Sequence, residues 1–200
     1  MQKVHLSFEG IAERWPQASA YGELFEHLDG ESERGSVLVV SAALDEALLA
    51  LLEARLLQGR RTKQLLSRSG PVSAFSARID LCFAVGAVNE GEQRLLHKIR
   101  KIRNDCAHVG AVDFRNASLK DKCLALELPY GSLPDERDPA RRLVMIAQVL
   151  LLILLLRVSD TKIKLSDDPI QPPERTVASG VEQMSFEIRL PSFRRGSQSK

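Results

Sequence analysis

The sequence predicts an all-α fold, a helical bundle with a short irregular C-terminal extension, and three observations predict it. Apolar residues make up 44% of the chain, rich in leucine and alanine, while aromatic residues are only 5%. Straight and small side chains lose little on entering a helix, whereas aromatic and β-branched ones favour strands. Apolar residues recur at helical spacing over 90–106, and residues 143–156 read LVMIAQVLLLILLL, apolar except for Gln148.

Two hundred residues suit one core, so the expected organisation is a bundle over 1–160 and an irregular, partly disordered extension over 161–200. Residues 1–16 are mixed in character and read as a loosely docked arm, with Trp15 as its anchor. A first helix is predicted over 18–28, ending at Asp29-Gly30. The next, over 36–57, carries Ser41, Asp45, Glu46 and Glu53 but is otherwise mostly apolar around its circumference, the mark of burial on several sides. Gly59-Arg60-Arg61 is expected to end it.

Gly70-Pro71 then opens a helix running to Val85, with Pro71 in the first turn or Ser73 as cap, and Gly86 stops it. Asn89 and Glu92 fit a capping box, in which each side chain takes the other's backbone amide. The amphipathic helix that follows, over 90–106, puts Leu95, Leu96, Ile99, Ile102 and Cys106 on one stripe. Arg94, His97, Lys98 and Lys101 lie opposite. Asn116 or Ser118 caps a shorter helix through Leu126, and Asp138-Pro139 opens the last one through Val158. A membrane span needs about 20 apolar residues, so 143–156 reads as a central core helix and no membrane contact is expected. Beyond Asp160, prolines break any long element, 183–190 alternates like one short strand, and the polar, basic 192–200 is expected to be disordered.

The net charge of +2 excludes a global electrostatic footprint for nucleic acid, so any such binding needs a local patch. Arg94, Lys98 and Lys101, with Arg100 beside them, are the candidate patch; the alternative is a solvated helix face. Cys82, Cys106 and Cys123 form no CxxC pair, and the N-terminus lacks a signal peptide's apolar core, which points to reduced thiols in a cytoplasmic protein. Phosphate-cradling glycine loops, GxSxG and HExxH are missing from the sequence, and His97, Cys106 and His108 lack the spacing of a tetrahedral set. No cofactor and no metal are expected. The apolar surplus of 36–57 and 143–156 predicts a twofold homodimer.

The most informative segment is Arg103-Asn104-Asp105-Cys106-Ala107-His108. On a straight helix Arg103 and His108 point about 140° apart, from an advance of ~100° per residue. They converge only if the helix ends or distorts between them, or if two copies meet across a dimer. Gly110 makes a helix end plausible. An arginine with a histidine suffices for metal-independent RNA cleavage: the histidine moves a proton, the guanidinium stabilises phosphate charge, and the 2′-hydroxyl attacks. Asn104 then orients a partner or binds a phosphate oxygen. The structural alternative is a histidine placed favourably at a helix C-terminus.

The stretch Gly70-Pro71-Val72-Ser73-Ala74-Phe75-Ser76-Ala77-Arg78-Ile79, then Val85-Gly86, then Ile99-Arg100-Lys101-Ile102-Arg103-Asn104 with Ala107-His108, resembles the mannitol-operon repressor (MltR) family. The likeness spans about 36–126. The Arg103-Asn104 and Ala107-His108 part is also similar to HEPN-type helical domains, and Cys106 stands where many MltR-like sequences carry an aromatic residue. The resemblance implies an MltR/HEPN-like bundle and one of two functions. The first is a repressor-type transcriptional regulator acting through a protein partner, since no convincing helix-turn-helix is visible. The second is a metal-independent endoribonuclease or toxin with RNA as substrate, in which Arg103, Asn104 and His108 are the catalytic set.

Overall fold

The computed structural model describes residues 4–6, 8–13, 16–28, 30–107, 114, 117–130, 136–160 and 184–186. At its centre two long helices, α3 (Glu33–Arg55) and α8 (Pro139–Asp160), pack along each other more extensively than any other pair. Every residue from 143 to 155 is buried, Gln148 included, and burying each leucine side chain contributes ~1.5–3 kcal/mol. Both helices are long and apolar enough to cross a membrane, yet 56% and 78% of their apolar stretches lie inside the bundle. More than half of each apolar stretch is thus covered within the chain. Among the described residues, Leu57 and Phe83 are the large apolar side chains left exposed.

Around this pair stand α5 (Phe75–Ala84), α6 (Glu90–Ala107) and α7 (Ala117–Leu124), with α2 (Ser19–His27) and α1 (Phe8–Ala12) toward the N-terminus. The all-α bundle is as the composition predicts. Ser32 caps α3 by accepting from the Gly35 amide at 3.0 Å, which starts the helix three residues earlier than expected. Asp138 does the same for α8, accepting from the Arg141 amide at 2.9 Å, with Pro139 in the first turn.

The Asn89–Glu92 capping box forms: Asn89 N donates to Glu92 Oε2 at 2.8 Å, and Glu92 N to Asn89 Oδ1 at 2.9 Å. Glu92 is fully buried, and its carboxylate is held further by Arg157 of α8 at 2.8 Å and by the Tyr130 hydroxyl. Arg157 also donates to the Ala87 carbonyl. The cap of α6 is thereby locked to the far end of α8.

Three details differ from expectation. After α3 the chain does not pass directly into a loop but forms α4 (Arg60–Leu66), short and basic, with Leu66 buried under it. Pro71 lies in a turn rather than a helical first turn, and α5 starts at Phe75 after Ala74, with Ser73 making no cap. The reason is the tight approach at Gly70, where a Cβ would collide with the carbonyl oxygens of Gln64 and Leu65. The amides of Gly70 and Val72 close this turn on the Ser67 and Leu65 carbonyls. Gly86, at φ +70°, stops α5 as expected.

The N-terminal arm is docked rather than loose. Phe8 and Ile11 are buried, and the Phe8 ring stacks on Phe25 with centroids 5.4 Å apart. Upstream of it β1 (Val4–Leu6) pairs in parallel with β2 (Met184–Phe186), Val4 opposite Met184, so part of the extension returns to the N-terminus as the strand expected within 183–190. Trp15, residues 161–183 and the tail 192–200 lie outside the described residues. Cys82, Cys106 and Cys123 are free and buried.

Candidate functional site

Ile99, Ile102 and Cys106 sink into the core with no more than 1% of their surface exposed, which leaves Arg103 beside the apolar stripe with its side chain in solvent. Arg103 Nη1 donates to Asn104 Oδ1 at 3.1 Å, so the structure joins two of the three motif residues. His108, with Val109 and Gly110, lies outside the described residues. α6 stays helical through Ala107, so no break separates Arg103 from that point.

Arg103 borders a cavity of about 340 Å³ between α3, α5 and α6. Ser41, Asp45 and Leu49 line it from α3, spaced by four so that one helix face presents all three. Glu46 follows Asp45; Arg68, Phe75 and Arg78 close the opposite side. Arg78 is buried, donates from Nε to the Val72 carbonyl at 3.2 Å, and places Nη1 2.9 Å from Asp45 Oδ1. That second contact is an ion pair, and Arg78 acts on the Asp45 carboxylate through both its charge and a side-chain hydrogen bond. Burial pushes the Asp45 carboxyl above the usual range, while the Arg78 and Arg103 charges pull it back. Ser41 Oγ is buried and has no partner.

The four residues of the candidate patch on α6 stand in different surroundings. Arg94 is engaged by Glu90 one turn earlier at 2.7 Å. Arg100 is half-buried, its Nε out of solvent, whereas Lys98 and Lys101 are exposed. His97 Nε2 lies 2.9 Å from Asp80 Oδ1, which Gln93 also bonds. The Asp80 carboxyl is held below its usual range chiefly by His97.

A second basic region went unread in the sequence. Between Glu53 and Asp80 the chain has six cations (Arg55, Arg60, Arg61, Lys63, Arg68 and Arg78) and no acidic residue. α4 displays Arg60, Arg61 and Lys63 in solvent. Beside them Leu57 is 55% exposed, held at the corner where Thr62 Oγ1 donates to its carbonyl. A shallow concavity of about 570 Å³ there is lined by Gln58, Gly59, Arg60, Lys63, Gln64 and Ser67. Six cations over a stretch without an acidic residue were the signal that could have found it.

No family model matches the chain, and no curated protein does. The chain is similar to a solved structure described as the X-ray structure of the MtlR-HPr complex from Escherichia coli. The two are 21% identical, with a TM-score of 0.49, over 69% of this chain and 97% of that one.

Proposed function

We propose that this chain is a regulator of the mannitol-operon-repressor type that acts by holding an acidic protein partner at the α3–α4 corner. The observation that carries the reading is Leu57, 55% exposed and three residues before Arg60, which with Lys63 lines a concavity. An exposed apolar anchor in a basic stretch of chain suits a protein surface of opposite charge. A phosphate backbone offers such a leucine nothing to bury against, so the same corner is a poorer match for nucleic acid. The sequence likeness over 70–79 and 99–108 supports the regulator class.

Arg103 and Asn104 of the motif lie together, joined by a hydrogen bond, and their chemistry is tested separately. The test is RNA cleavage by the purified chain, in EDTA, beside Arg103→Ala and His108→Ala. The regulator reading expects no cleavage above that of the two variants. Cleavage by the unsubstituted chain that either variant abolishes would overturn it in favour of the endoribonuclease.

A further inference from the structure

We infer that the cavity between α3, α5 and α6 binds a small hydroxylated anion, with Arg68 and Arg103 on its oxyanion head and Ser41 and Asp45 on its hydroxyls. The inference stands apart from the docking corner and does not depend on it. The wall carries three guanidiniums, Arg68, Arg78 and Arg103, against two carboxylates, Asp45 and Glu46, which leaves one positive charge to be met. Arg78 is committed to Asp45 and to the Val72 carbonyl. Arg68 and Arg103 are exposed at the rim, where a planar fork can take a phosphate or carboxylate on two oxygens.

Deeper in, Ser41 is 1% exposed and its hydroxyl has no partner, while Asp45, ion-paired with Arg78 through Oδ1, keeps 28% of its side chain exposed. Buried polar groups are nearly always satisfied, so an unpartnered hydroxyl in the cavity wall marks where a ligand's own hydroxyl belongs. One can donate to Asp45 while another exchanges a hydrogen bond with Ser41. Leu49 and Phe75 supply the apolar wall for a carbon skeleton. A volume of about 340 Å³ admits a metabolite and falls at the small end of ligand pockets. A polynucleotide does not fit it.

The experiment is calorimetric titration of the full chain with glycerol 3-phosphate, glycerate and inorganic phosphate, which separates a phosphate head from a carboxylate head and from an anion alone. The expected result is saturable binding of one of the two hydroxylated probes, tighter than that of inorganic phosphate. Arg103→Ala should weaken it at least tenfold and Ser41→Ala several-fold, both with unchanged circular dichroism. Arg60→Glu, at the docking corner, should leave it as it was. The proposal is overturned if neither hydroxylated probe saturates at millimolar concentration, if inorganic phosphate binds as well as they do, or if Arg103→Ala and Ser41→Ala bind like the unsubstituted chain. Loss of binding on Arg60→Glu would place the anion at α4 and overturn it equally.

Discussion

Arg78 of α5 reaches 2.9 Å from Asp45 of α3, and the pair ties the two helices together beneath the cavity that Arg103 borders. Arg78 keeps 9% of its side chain exposed and Asp45 28%, so both charges are largely withdrawn from water. Removing one member leaves the other buried without a counter-charge. Arg78→Met is therefore expected to destabilise the fold by ~3–5 kcal/mol, and Arg78→Met with Asp45→Leu by much less. Urea unfolding of the single and double variants checks this; equal losses in both would show that packing, not charge, holds the helices.

Glu92 makes a comparable prediction at the other end of α6. Its carboxylate accepts from its own cap, from Arg157 and from Tyr130, with no surface exposed. Glu92→Ala is expected to cost about 3–5 kcal/mol because it strands the Arg157 guanidinium. Arg94→Ala, which breaks only the exposed pair with Glu90, should cost less than ~1 kcal/mol. Thermal melts of the two variants side by side provide the comparison.

The helices that the sequence made legible are those whose burial writes itself into a period or an apolar run: α3, α6 and α8. The Asn89–Glu92 box was legible because its two partners sit three residues apart. α4 was not, because seven residues rich in cations show no apolar period, and only Leu66 at its end is buried. The parallel pairing of β1 with β2 joins opposite ends of the chain, which local pattern cannot reveal. The site divides in the same way. Arg103 and Asn104 are neighbours in sequence and were read together, whereas the meeting of Arg103 with Ser41, Asp45 and Arg78 is a product of how α3, α5 and α6 pack.

Burial pushes the thiols of Cys82 and Cys123 up to about 12 and that of Cys106 to about 11. Iodoacetamide at pH 8 is expected to modify none of them in the folded chain and all three in guanidinium, because the thiolate is the nucleophile and the native chain withholds it. The same shift fixes a sign in pH. A folded value raised above the ordinary 9.0 contributes stability that is complete below pH 9 and is lost as pH rises through 11–12. Cys82→Ala should then flatten the alkaline limb of the stability curve, as read by denaturant melts from pH 8 to 11.

A photoreactive benzoylphenylalanine at Leu57, irradiated in cells and followed by mass spectrometry of the adducts, tests the docking corner most directly. Leu57 is exposed, so the replacement leaves the core intact. The expected result is a recurrent adduct with one acidic protein, lost when Arg60→Glu and Lys63→Glu are introduced together and weakened by salt, as charge complementarity requires. Adducts to RNA or DNA, or a protein adduct indifferent to the charge reversal, would contradict a protein-docking regulator built on this corner.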